Sequence, residues 1–197
     1  MPQQILIIRG GDAHKTNEDY LDFLRTRNFE KEDLVGRKKW ASILQKDLGS
    51  NYEVLLPGMP CSCNAKYINW KIWFERFFPF LRDNIILIGS SLGATFLAKY
   101  LSENTLPVKI KVVFMLAGPY DSEYLGDFSL PESLEKFSTQ CPKIFLYHSK
   151  DDPIVPFTEL EKYSKALPKA EKVIFKDKGH FALKEFPEFV EKLKSIK

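Results

Sequence analysis

At 197 residues the chain has the length of one domain and is long enough to bury a core that holds a defined site. Hydrophobic residues at 44% and charged residues at 28% exclude a disordered chain. With 29 basic against 26 acidic side chains the net charge is only +3, and its densest basic cluster, Arg37-Lys38-Lys39 between Gly36 and Trp40, reads as a solvated face rather than a nucleic-acid surface. No run approaches the ~20 apolar residues of a membrane span. Ile5-Leu6-Ile7-Ile8 follows only four residues and no basic region, so a secretory leader is not expected. Three cysteines, Cys61, Cys63 and Cys141, are an odd number and point to a reduced, cytoplasmic protein without a disulfide framework.

In chain order, six short apolar runs rich in β-branched residues read as strands: Gln4–Ile8, Tyr52–Leu56, Ile85–Ile88, Lys111–Leu116, Lys143–Tyr147 and Lys172–Phe175. Several are continuous rather than alternating, as in strands covered on both faces. The first is followed by one long connection, from Gly10 to about Ser50. It is charged, is predicted to carry helices over Asn17–Arg25 and Lys38–Leu48, and has room for a flap. Tyr67, Trp70, Phe74, Phe77 and Leu81 fall on one helical face, and Phe186, Phe189, Val190 and Leu193 on another. Thr158-Glu159-Leu160-Glu161 has the form of a capping box, and Pro168 closes the helix after it. Strands alternating with helices predict a parallel sheet with right-handed crossovers, in a single domain spanning residues 1–197.

The third strand ends in Gly89-Ser90-Ser91-Leu92-Gly93 and runs into a helix over Ala94–Leu101. This is the form of a nucleophile elbow, a tight strand-to-helix turn that leaves a serine hydroxyl exposed. The residues two before and two after must be small, because strand and helix backbones pass close there. A helix starting directly behind the serine aims its N–H groups at developing negative charge. Ser91 is therefore the candidate nucleophile.

A serine hydroxyl needs a base to take its proton. His180, in Asp177-Lys178-Gly179-His180-Phe181, lies just past the last strand and before the last helix, at the carboxyl edge of the sheet. It is the candidate base. His148 ends the fifth strand and is expected to brace its loop. His14 follows the first strand and is expected to be exposed. The base in turn needs a carboxylate to fix its tautomer. His148-Ser149-Lys150-Asp151-Asp152-Pro153-Ile154-Val155-Pro156 offers Asp151 and Asp152 in a turn made rigid by prolines. Asp121, after the fourth strand, is a further candidate that spacing alone does not eliminate.

Taken together, these segments resemble the α/β-hydrolase superfamily. The order Ser, Asp, His is that superfamily's, and the six strands match its last six. The turn from His148 to Pro156 is similar to its H-G-x-x-D-x-x-V-P acid turn, which implies Asp152 as the acid. Lys178-Gly179-His180-Phe181 is similar to its histidine loop. The short length and the Asp-Asp-Pro turn resemble small cap-less serine hydrolases of the retinoblastoma-binding protein nine type. The resemblance implies a three-layer α/β/α sandwich whose six-stranded parallel sheet runs 2-1-3-4-5-6. Order then reverses between the first and third strands, where ligands bind beyond the carboxyl ends. It also implies an oxyanion hole from the Leu92 N–H and, aligned with the residue after the superfamily's His-Gly, the Gly11 N–H. The sequence departs from that pattern in having Arg9-Gly10-Gly11. Asp12 is the alternative donor, and its acidic side chain would oppose a developing oxyanion.

The expected activity is hydrolysis of a small carboxylic ester through an acyl-enzyme, with no cofactor or metal and a small acyl compound as substrate. A peptidase or acyl transferase would use the same triad, and a binding protein on a hydrolase scaffold would use it little. Cys61 and Cys63 cannot complete a tetrahedral zinc site and read as buried or rim cysteines. The aromatic run Trp70–Phe80 reads as a helix packed on the sheet, with a contribution to an apolar acyl pocket or a partner contact as alternatives.

Overall fold

The computed structural model describes residues 1–28, 31, 39–121 and 123–196. Gly36, Arg37 and Lys38 of the basic cluster, and with them the expected start of a helix at residue 38, lie outside the described residues. The strands are β1 (Gln3–Ile8), β2 (Tyr52–Leu55), β3 (Ile85–Ser90), β4 (Ile110–Leu116), β5 (Ile144–Ser149) and β6 (Glu171–Phe175). They form one six-stranded sheet in the order β2-β1-β3-β4-β5-β6, with every pair parallel. Each expected strand is present, shifted by one or two residues. β3 runs on to Ser90 because Gly89 and Ser90 still pair with Met115 and Leu116 of β4, which brings the strand to the edge of the elbow.

The helices include α1 (Asn17–Thr26), α2 (Trp40–Leu48), α3 (Tyr67–Glu75), α4 (Leu92–Glu103), α5 (Glu135–Gln140), α6 (Thr158–Ala166) and α7 (Pro187–Lys194). Side chains alternate across each strand, so the central strands feed two cores. Leu6, Ile8 and Leu87 pack with Trp70 and Phe74 of α3 and Phe96 of α4. Ile5, Ile7 and Phe114 pack on the opposite face with Trp40 of α2 and Phe189 of α7. This is the three-layer α/β/α sandwich of an α/β-hydrolase fold. Among the described residues no helix is long and apolar enough to cross a membrane.

Two local expectations are corrected. The face from Tyr67 to Leu81 is not one helix: α3 stops at Glu75, and a 3₁₀ turn covers Phe78–Phe80. Pro79 has no N–H and its ring collides with the carbonyl four residues back, so the α-helix cannot continue. The capping box at Thr158 does not form. Phe157 is the N-cap, with helical backbone angles and no side-chain cap bond, because the chain is already turning at Pro156, whose carbonyl accepts from the Glu159 N–H. The capping box that does form opens α1. There the Thr16 hydroxyl accepts from the Asp19 N–H and the Asp19 carboxylate accepts from the Thr16 N–H, at 3.1 and 2.9 Å.

Candidate active site

Ser91 sits between β3 and α4 with φ 55° and ψ −129°, a sparsely populated region for a residue with a side chain. Its backbone is held there from both sides. The Ser91 N–H donates to the Leu116 carbonyl at 2.8 Å, and the Ser91 carbonyl accepts from the Ala94 N–H at 2.8 Å. The flanking glycines are required by contact. A Cβ on Gly89 would press into the Ala94 backbone, and one on Gly93 would overlap the Ile8 carbonyl. Gly10, at the end of β1, packs directly on the Ser91 side chain. Leu92 is the first residue of α4, so its N–H has no acceptor within the helix.

His180 and Asp152 meet. The His180 Nδ1 lies 2.8 Å from Asp152 Oδ2. An ionised carboxylate only accepts, so Nδ1 carries the proton and Nε2 is left as the basic nitrogen. The other carboxylate oxygen of Asp152 accepts from the Ile154 and Val155 N–H groups at 2.8 and 2.9 Å. The Asp152 side chain is 0% exposed. That burial pushes its acidity toward the neutral form. The His180 hydrogen bond, the Val155 N–H, the His180 charge and the Ile154 N–H outweigh it, so the carboxyl is held below the ordinary range.

The neighbouring Asp151 has a different task. The Ser149 hydroxyl and the Gly179 N–H both donate to its Oδ1, and the Lys178 N–H donates to Ser149 Oγ at 2.9 Å. The acid turn and the histidine loop are thereby stitched together. The Ser149 hydroxyl, opposed by some burial and helped by the Gly179 N–H, holds the Asp151 pKa below the ordinary carboxylate range. His148 is buried and its Nε2 donates to the Val155 carbonyl at 2.9 Å, so it braces the turn. Asp121, the other candidate acid, is 60% exposed and pairs with Lys162.

Ser91, His180 and Gly11 line one cavity of about 590 Å³ at the carboxyl end of β1 and β3, the point where strand order reverses. The Asp12 N–H is taken, donating to the Ser62 carbonyl at 2.8 Å. Ser62 and Cys63 reach the rim of this cavity as expected. The aromatic run does not line it: Trp70 and Phe74 are core residues, whereas Phe80 is 72% exposed. The apolar wall comes instead from Ile7, Trp40, Met59, Ile154 and Phe181. His14 departs from its expected exposure. Its ring packs on Tyr20 and Phe23, with centroids 5.3 and 4.9 Å away, and its Nε2 is buried without a partner.

Sequence reasoning missed the contribution of residues 39–42. Lys39, Trp40, Ala41 and Ser42 enter the cavity wall because the start of α2 is tied to the histidine loop. The Trp40 indole N–H donates to the Phe181 carbonyl at 3.1 Å, and its backbone N–H to the Leu183 carbonyl at 2.9 Å. Residues so far apart carry no local signal of this docking.

Comparison with known proteins supplies the family and the fold. A family model described as serine hydrolase matches residues 35–193. Serine hydrolase RBBP9 of Rattus norvegicus is 29% identical over 166 residues, covering 82% of this chain and 88% of the relative. Among solved structures, the ydeN gene product from B. subtilis superposes with a TM-score of 0.78 at 19% identity, covering 98% of both chains. A putative yden-like hydrolase from Pectobacterium atrosepticum gives 0.69 at 15% identity, covering 98% of this chain and 90% of the other. These structures share the fold. The family model spans most of the sequence, and the chain belongs to the serine hydrolase family.

Proposed function

We propose that the protein cleaves a small carboxylic ester through an acyl-enzyme, with Ser91 as nucleophile, His180 as general base and Asp152 as the acid that orients it. The observation that carries this reading is that His180, which lines the same cavity as Ser91, is bonded at 2.8 Å to the buried carboxylate of Asp152. His180 Nε2 takes the Ser91 proton as Oγ attacks the carbonyl carbon. The oxyanion is received by the Leu92 N–H, supported by its lack of a helical acceptor, and by the Gly11 N–H, favoured because that of Asp12 is already bound. The imidazolium returns its proton to the leaving alcohol, and Nε2 then activates water to release the acid. Asp152 keeps its charge throughout and stabilises the imidazolium. The chemistry needs no cofactor. The free thiols Cys61, Cys63 and Cys141 suit a reducing compartment, and the same proposal sets the activity in the cytoplasm.

The test is turnover of p-nitrophenyl acetate. Ser91→Ala is expected to remove it, and Asp152→Asn to lower kcat by about 10⁴-fold, the effect of leaving the imidazole in the wrong tautomer. Asp121→Asn is expected to change it little. Full activity in Ser91→Ala would remove Ser91 from the mechanism, and a larger loss in Asp121→Asn than in Asp152→Asn would relocate the acid.

A further inference from the structure

The cavity carries more positive charge than the ester chemistry uses. Among the described residues, Arg9, Arg27 and Lys39 line it with a single carboxylate, Asp12. They arrive from separate segments: Arg9 just beyond β1, Arg27 at the C-cap of α1 and Lys39 at the N-cap of α2. Arg27 and Asp12 approach each other to 3.8 Å. Among the described residues, neither the Arg9 guanidinium nor the Lys39 ammonium has a carboxylate partner. The remaining wall is largely apolar, with Trp40, Met59, Ile154 and Phe181 facing the same space.

An apolar wall with cations at its rim, beside a nucleophile, suits a substrate that has both an apolar stretch and a negative charge. A guanidinium matches a carboxylate with two parallel hydrogen bonds, and an ammonium adds a point charge without demanding an orientation. We propose that the site selects anionic esters, in which a free carboxylate on the acyl part is held by Arg9 with Lys39 as the second cation. This inference rests on the Ser91 hydrolase reading. Asp12 lies 3.8 Å from Arg27, which offsets part of its repulsion of an anion, and the concave wall concentrates the attraction of Arg9 and Lys39.

The experiment compares mono-p-nitrophenyl adipate with p-nitrophenyl heptanoate, its neutral counterpart of similar length. Release of p-nitrophenolate is followed after subtraction of the uncatalysed rate. The wild-type protein is expected to favour the adipate ester about tenfold in kcat/KM at low salt, the advantage of a charge-assisted pair at a partly exposed site. Raising NaCl to 1 M, where charges are screened beyond about 3 Å, is expected to bring the two esters close to parity. Joint substitution Arg9→Gln and Lys39→Gln is expected to remove the preference at low salt, chiefly through KM. Equal or better use of the heptanoate ester by wild type, or a preference that survives both the substitutions and high salt, overturns the inference. The same holds if Ser91 is labelled by a fluorophosphonate but the adipate ester is not cleaved. If neither ester is cleaved and Ser91 is not labelled, the hydrolase reading falls and this inference with it.

Discussion

α4 and α1 are helices of 12 and 10 residues, and each follows a central strand at the same end of the sheet, yet they are held by different physics. Nearly all of α4 is buried, from Leu92 to Leu101, and Phe96 packs among Tyr67, Trp70, Phe74 and Tyr100. No residue of α1 is buried. It is held by its capping box, by exposed ion pairs from Arg25 to Asp22 and Glu18, and by the rings of Tyr20 and Phe23 against His14. Exposed pairs of that kind contribute little. The difference separates the site into a half that cannot shift without disturbing the core, behind Ser91, and a half at the cavity mouth that is attached through surface contacts.

The contrast is broken most directly by truncating one aromatic on each helix. Phe96→Ala leaves a void in the core and is expected to cost about 3–5 kcal/mol in urea denaturation. Phe23→Ala is expected to cost less than about 1 kcal/mol, because the half-buried ring packs outside the two cores. Equal losses would show that α1 is part of the cooperative core after all.

The acid turn lies between these extremes, since it is held by polar contacts that are partly buried around Asp152 and more exposed at Asp151. Asp151 and Asp152 have pKa values lowered in the folded protein. A carboxyl depressed on folding adds stability above its unfolded value, near 3.9, and that contribution disappears as pH falls through the folded value. Asp151→Asn is therefore expected to be less stable than wild type at pH 7, with the gap closing steadily below about pH 4. Urea midpoints at pH 7, 4 and 3 check this, and a gap that stays constant would contradict it.

The smallest effect on global stability is expected at Thr16→Ala. Loss of the α1 capping box is worth about 1 kcal/mol. It should speed hydrogen exchange of the α1 amides while leaving the global urea midpoint in place. A global shift would join α1 to the core.

Much of this arrangement was legible in the sequence where one local pattern has one physical outcome. Continuous apolar runs such as Ile85–Ile88 have to be covered on both faces, and β3 is. Gly89 and Gly93 around Ser91 announce a close backbone approach, and the approach is there. The acid was less legible. Spacing did not separate Asp151 from Asp152, because a two-acid turn can present either one, and resemblance to a family motif was needed to choose. The structure uses both carboxylates, one on the imidazole and the other on the backbone of the histidine loop.

What stayed hidden depends on distant docking. Trp40 gave no local sign that its indole would meet the Phe181 carbonyl, 141 residues away, so the start of α2 was not anticipated in the cavity wall. The aromatic run suggested a pocket because its composition is apolar, but burial of Trp70 and Phe74 in the core serves that composition without reaching the cavity. At Thr158 the capping-box pattern was present and Pro156 overrode it by starting the turn early.

The central claim is that the hydroxyl of residue 91 is activated by the imidazole that Asp152 holds. Intact-mass analysis after brief exposure to a fluorophosphonate tests it most directly. The account expects a single adduct on wild type, mapped to the peptide containing Ser91, greatly slowed in His180→Ala and absent in Ser91→Ala. An unreactive wild-type protein, or an adduct that persists in Ser91→Ala, would contradict it.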